Sequence, residues 1–202
     1  FNYTRRASSV AHIGAIDLGG DNPIRIQSMT TTNTNDTEAC VRQAEEIIKA
    51  GGELVRFTTQ GSREAENMKN INAGIRADGY QTPLVADVHF NPNVADVAAL
   101  YCEKVRINPG NYVDPARKFI KQEYTDEEYA HELQKIEERF VPFLNICKEN
   151  HTAIRIGVNH GSLSDRIRNR YGDTPEGIVE SCLEFLRICK KENFHDVVIS
   201  IK

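Results

Sequence analysis

The sequence predicts an α/β fold on a parallel sheet, of the (β/α)8 TIM-barrel type, truncated after about six strands and preceded by an N-terminal hairpin. Three observations carry this prediction. Short β-branched apolar runs recur at Ile24–Met29, Leu54–Thr58, Leu84–Val88, Lys104–Asn108, Ala153–Val158 and Val197–Ile201. Continuous runs of this length suit strands buried on both faces of a parallel sheet. Longer segments with a helical period separate them, so strand and helix alternate along the chain. The chain starts without Met and stops at Ile199-Ser200-Ile201-Lys202, inside an apolar run. An open doubly wound sheet fits the same alternation, although no G-x-G-x-x-G follows the first strand, which takes weight from its dinucleotide-binding version. Six barrel strands alone would leave two open sheet edges, which natural folds avoid. Residues 1–202 therefore read as one partial barrel domain, a piece of something longer.

The elements follow in order. Ile13 to Leu18 and the turn Gly19-Gly20-Asp21-Asn22-Pro23 predict a hairpin that plugs one end of the sheet. Asn35 with Glu38 reads as a capping box, and the stripe Cys40, Val41, Ala44, Ile47 and Ile48 runs to a stop at Gly51-Gly52. A second helix carries Ala65, Met68, Ile71 and Ile75 and ends near Gly79. Asn91-Pro92 opens a short third helix through Leu100, with Pro in the first turn where a missing N–H costs nothing. The segment from Asp114 to Asn150 is longer than one crossover needs. Within it Thr125 and Glu128 form another capping box, after which Tyr129, Leu133, Ile136, Phe140, Leu144 and Cys147 keep a helical period that reads as packing. Thr174-Pro175-Glu176 starts the last helix, with Ile178, Val179, Cys182, Leu183, Leu186 and Cys189 on its apolar side.

Composition narrows the function. The 202 residues are 40% hydrophobic and 27% charged, with a formal net charge of −4, an ordinary soluble balance that argues against disorder and membrane spans. No run approaches the roughly 18 apolar residues of a spanning helix, and Phe1-Asn2-Tyr3-Thr4-Arg5-Arg6 lacks the apolar core of a signal peptide. A cytoplasmic protein without a membrane partner is expected. Slight acidity disfavours nucleic acid, whose binders carry basic stripes. The five cysteines are an odd set with no C-x-x-C and no zinc-finger spacing, so they read as reduced, packed thiols and no metal site is expected.

The strands themselves carry the chemistry. Val55-Arg56-Phe57, Val105-Arg106-Ile107 and Ile154-Arg155-Ile156 each set an arginine between apolar neighbours, as does Ile24-Arg25-Ile26. A strand arginine is costly unless its guanidinium meets an anion or water. Side chains alternate between lumen and helix layer, and lumen positions near the carboxyl ends of the strands lead to the mouth where barrel enzymes work. Lys202 occupies a similar place on the sixth strand. Converging cations point to a phosphate or diphosphate, which the guanidinium fork matches with two parallel bonds. Gln27, Thr58, Asp87 with His89, Asn108, and Asn159 with His160 follow at the same strand ends. A structural ion pair with Asp87, Glu103 or Asp36 accounts equally well for any single arginine, and for Arg25 it is the preferred reading. Taken alone, His89 and His160 read as satisfied loop histidines, and His12, His131, His151 and His195 as solvent-facing.

Four stretches together resemble the barrel motifs of the 4-hydroxy-3-methylbut-2-en-1-yl diphosphate synthase family: Pro23-Ile24-Arg25-Ile26-Gln27-Ser28-Met29-Thr30, Leu84-Val85-Ala86-Asp87-Val88-His89-Phe90, Val105-Arg106-Ile107-Asn108-Pro109-Gly110-Asn111, and Ile154 to Leu163. The likeness runs in consistent order from about Arg5 to Lys202. The stretches Asn159 to Arg166, Tyr171 to Pro175 and Phe185 to Cys189, with the long Asp114 to Asn150 segment, resemble the three-domain form of plants and some bacteria. The resemblance implies reductive opening of 2-C-methyl-D-erythritol 2,4-cyclodiphosphate on the route to isoprenoids, with ferredoxin or flavodoxin as electron donor and a homodimer left open. It implies that Arg56, His89, Arg106, Asn108, Arg155, Asn159 and Lys202 bind the diphosphate and hydroxyls, with Gln27 and Asp87 lining the floor. It also implies a four-iron four-sulfur cluster held by three cysteines and a glutamate in a C-terminal domain. None of the five cysteines here matches that pattern, so the cluster, the last two strands and a middle insertion domain are expected elsewhere, and this fragment alone is expected to be inactive. Two other readings stand beside it: a non-redox, pteroate-synthase-like barrel transferase, and a non-catalytic module that binds phosphorylated ligands.

Overall fold

The computed structural model describes residue 4, residues 6–114 and residues 123–202. Two short strands, β1 (Val10–Ile13) and β2 (Ile16–Gly19), form an antiparallel hairpin. Six strands follow as one parallel sheet: β3 (Gln27–Met29), β4 (Leu54–Thr59), β5 (Leu84–Val88), β6 (Lys104–Ile107), β7 (Ala153–Val158) and β8 (Val197–Ile201). The helices between them are α1 (Thr37–Lys49), α2 (Ser62–Ala77), α3 (Pro92–Ala99), α4 (Asp126–Asn150), α5 (Asp165–Tyr171) and α6 (Pro175–Lys191).

Spatial order equals chain order, β3 to β8. That decides between the two architectures, because a doubly wound sheet reverses direction at a switch point whereas a barrel winds one way. The sheet also curls. Lys104 Nζ on β6 donates to Gln27 Oε1 on β3 at 3.1 Å. In a flat sheet those strands would stand about 14 Å apart with side chains projecting in parallel. The result is a half-barrel with a concave lumen face and a convex helix face.

Alternation sorts each strand between these faces. Val55, Phe57, Ala86, Val105, Ile107, Ile154 and Ile156 belong to the main core beneath the helices. Leu54, Val85 and Ala153 instead form a second, smaller cluster with Ile13 of the hairpin, against which Ile16, Leu18 and Val198 pack. The hairpin seals the amino-terminal end of the lumen with apolar side chains as expected, but its turn is Gly14-Ala15, which splits the expected Ile13–Leu18 strand, and not the Gly19–Pro23 cluster.

Three local expectations are corrected. The first strand spans only Gln27–Met29 rather than Ile24–Met29. Ile24 and Ile26 precede it and are 85% and 60% exposed. Helix α1 is capped by Asp36, whose carboxylate accepts from Ala39 N at 3.0 Å, and not by an Asn35/Glu38 box. Helix α5 escaped prediction, since seven residues show too little period. The Thr125/Glu128 box is as expected, with Glu128 N donating to Thr125 Oγ1 at 3.2 Å and Thr125 N to Glu128 Oε2 at 2.8 Å. Part of the long segment after Asp114, residues 115–122, lies outside the described residues. Among the described residues no helix is long and apolar enough to cross a membrane.

Candidate anion-binding site in the half-barrel lumen

Residues two positions above the plug point into the same lumen. Counting from Leu54, Val85 and Ala153, these are Arg56, Asp87 and Arg155, with His89 and Gly157 further along. On β6, Lys104 is in register with Val85 and Ala153, which puts Lys104, Arg106 and Asn108 on this face. Asp87, Arg106 and Arg155 lie side by side on three adjacent strands. Four strand cations thus share one concave surface, with Asp87 as their carboxylate.

Asp87 organises the surface. It pairs through Oδ2 with Arg56 Nη2, accepts from Arg106 Nη1 at 3.2 Å through Oδ1, and lies 3.1 Å from His89 Nε2. Burial opposes its ionisation, but the His89 hydrogen bond and the Arg56 and Arg106 charges outweigh it and hold the carboxyl at about 2. One anion cannot satisfy the rest. The Arg56 Nε is buried without a hydrogen-bond partner. Arg155 feels Asp87 only through space, and burial followed by Arg56 and Arg106 pulls its pKa down. Arg106 is lowered too, first by burial. Lys104 is pushed down to about 7 by burial, then by Arg155 and Arg56.

Backbone shape makes room for these groups. Arg106 Nη2 donates to Gly157 O at 3.0 Å, and a Cβ on Gly157 would come within 2.4 Å of Arg106 Nε. Only glycine lets the guanidinium lie flat across β7. Above it, Asn108 caps a short 3-10 turn by accepting from Gly110 N at 3.1 Å and donates to Ser162 Oγ at 2.7 Å. Asn159 repeats the cap on the next loop, accepting from Gly161 N at 3.0 Å. A Cβ on Gly110 would sit 1.8 Å from Ser162 O, so the two loops meet backbone to backbone.

The candidate residues fall into groups. Arg56, Asp87, His89, Arg106 and Arg155 form one contiguous cluster. Gln27 lies across the lumen, holding Lys104. Asn108 and Asn159 shape the rim loops, and their side-chain oxygens are engaged by backbone amides. Lys202 directly follows β8 at the mouth, its N–H on Val158 O at 3.0 Å. Arg25 pairs with Glu53 at 2.8 Å, the structural role expected of it. Glu103 serves Arg76 and the Leu84 amide, and Asp36 caps α1, so neither neutralises the lumen. His160 pairs with Asp173, which also takes Arg168 at 3.0 Å.

The family model for the GcpE TIM-barrel domain matches residues 8–202. The chain belongs to the GcpE family. Curated relatives named 4-hydroxy-3-methylbut-2-en-1-yl diphosphate synthase (flavodoxin) are 77% identical in Phocaeicola vulgatus and 76% in Bacteroides thetaiotaomicron, each over the whole of this chain. The chain spans about a third of those relatives, 33% of each. Among solved structures, a 7,8-dihydropteroate synthase from Vibrio fischeri covers 95% of the chain and 66% of its own length, at a TM-score of 0.58 and 13% identity. A truncated 3-deoxy-D-arabino-heptulosonate 7-phosphate synthase from Thermotoga maritima covers 96% of this chain and 56% of its own, at 0.57 and 10%. At such identities these two show a shared fold alone.

The cysteines of this GcpE barrel do not fit an iron-sulfur cluster. Cys40, Cys102, Cys147, Cys182 and Cys189 are all free and buried in the packing between helices and sheet. Burial pushes the Cys182 thiol up to about 11 and Cys189 to about 12, whereas a cluster needs converging thiolates. Among the described residues no three His, Cys, Asp or Glu side chains gather in a metal-holding group. Sequence reasoning missed one lumen residue, Lys104. Its signal was available, because it sits two positions before Arg106 in a strand and so shares its face.

Proposed function

We propose that this chain is the diphosphate-binding barrel portion of a 4-hydroxy-3-methylbut-2-en-1-yl diphosphate synthase, an oxidoreductase of isoprenoid biosynthesis. The observation that carries the proposal is the lumen cluster: Arg56, Lys104, Arg106 and Arg155 face a single carboxylate, and a buried guanidinium N–H lacks a partner. Such a surface holds excess positive charge in a low dielectric, the condition under which a doubly phosphorylated ligand binds strongly. Arg106 and Arg155, side by side, would each take phosphoryl oxygens. Arg56 would add a third contact, and Lys202 one at the mouth. His89, held by Asp87, and the amides of Asn108 and Asn159 would orient the substrate hydroxyls, with Gln27 and Asp87 beneath.

In the reaction two electrons enter 2-C-methyl-D-erythritol 2,4-cyclodiphosphate, a ring C–O bond to phosphate breaks, and a hydroxyl leaves as water with protons from the site. This barrel's share is binding and orientation. The electrons would come from a four-iron four-sulfur cluster, reduced by ferredoxin or flavodoxin, in a C-terminal domain that lies beyond these residues with the remaining strands and a middle insertion domain. The barrel alone would then be inactive, and a soluble cytoplasmic enzyme is the corresponding location. Turnover of the cyclic diphosphate by the intact protein with reduced flavodoxin tests the reading, and absence of turnover with a fully loaded cluster would sink it.

A further inference from the structure

We propose that Lys104 is a floor cation of the anion site and that it takes up a proton as the anion binds. The inference rests on the diphosphate reading of the lumen and adds a residue and a coupling to it. Lys104 is 1% exposed, at the first position of β6 and one step below Arg106. Beneath it lies the apolar plug of Ile13, Leu54, Val85 and Ala153. The groups facing it can be taken strand by strand. β3 supplies uncharged Gln27, which accepts from Nζ at 3.1 Å. β4 supplies Arg56, β5 Asp87 and above it His89, β6 itself Arg106, β7 Arg155, and β8 apolar Val198 with Lys202 at the mouth. Asp87 is already engaged by Arg56, Arg106 and His89. An ammonium with three donors therefore has one amide oxygen to accept from it and guanidinium charges beside it.

In that setting the neutral amine competes with the charged one, and burial, then Arg155 and Arg56, bring the group down to about 7. An anion lying on Arg106 and Arg155 cancels those repulsions and brings oxygens that Nζ can donate to. Binding must then raise the amine's pKa, and by linkage the bound state gains a proton. The sign follows. Below pH 7 the lysine is already charged and little is taken up. As pH rises through 7 the free amine loses its proton, so uptake on binding grows and the lysine's contribution to affinity falls.

Calorimetry of the intact protein with inorganic diphosphate, in buffers of different ionisation enthalpy, counts the protons. At pH 8 the wild type should take up roughly one proton more than Lys104→Arg, whose cation does not titrate, and at pH 6 the two should agree. The ratio of wild-type to Lys104→Met affinity should fall by up to about tenfold from pH 6 to pH 8. Sulfate, which carries no proton near neutrality, gives a check free of variants, with wild-type uptake larger at pH 8 than at pH 6. Equal uptake by wild type and Lys104→Arg, or sulfate binding without pH-dependent uptake, overturns the role of Lys104 and leaves the diphosphate site standing. Failure of the wild type to bind diphosphate overturns both.

Discussion

Two arginine clusters in this molecule, one buried around Arg166 and one half-buried in the lumen, are built to opposite rules. On α5, Arg166 donates to Glu184 at 2.8 and 2.7 Å and to Asp114 at 3.0 and 3.3 Å, and its guanidinium lies 4.7 Å from the Tyr129 ring. Tyr129 OH donates in turn to Glu184 at 2.5 Å. Burial would weaken its charge, but the two carboxylates more than reverse that and raise the pKa of Arg166. Here one cation meets two anions and every guanidinium nitrogen donates. In the lumen four strand cations meet one anion, and Arg106 and Arg155 are lowered instead. A structural arginine is satisfied from within, whereas a binding arginine is left short of charge and waits for a ligand.

The contrast can be broken from either side. The largest effect is expected from Arg166→Met, which strands two buried carboxylates. Stability measured by urea unfolding should fall by about 3–5 kcal/mol. Arg106→Met and Arg155→Met should do the reverse, weakening diphosphate binding in calorimetry by about 1.5–3 kcal/mol. For Arg155→Met, stability should hold or rise, because a like charge is removed. Asp87 sharpens the point through pH. Its carboxyl, depressed from 3.8 to about 2, contributes stability that is complete above the unfolded value and lost as pH falls from about 4 to 2. The loss should be about 2 kcal/mol, and Asp87→Asn should flatten that limb of the acid unfolding curve. The smallest effect is Asp36→Ala, which removes the α1 cap for about 1 kcal/mol in urea and leaves diphosphate affinity unchanged.

The difference between the clusters also explains what was legible in the sequence. The lumen arginines announce themselves because each interrupts an apolar β-branched run, and alternation then assigns their face. Lys104 was harder to see, since a lysine at the first residue of a strand reads as a side chain reaching for water. Arg166 was invisible as a keystone because its partner Asp114 lies 52 residues away. The first cap was misplaced because Asn33, Asn35 and Asp36 crowd one turn and all are good caps, so only geometry selects among them. The first strand was overextended because an apolar run does not show where ladder pairing begins, here at Gln27 opposite Leu54. The hairpin was expected at the right place in the chain but its turn was misplaced, because the Gly19–Pro23 cluster is the louder turn signal and Gly14-Ala15 reads as part of an apolar run.

The backbone contact between Gly110 and Ser162 ties the fortunes of two loops together. With no space for even a methyl group at that seam, neither rim segment can be lengthened, swapped or re-aimed by itself. Natural variation or engineering that reshapes one lip of the mouth must carry the other lip with it, so the two behave as a single inherited jaw.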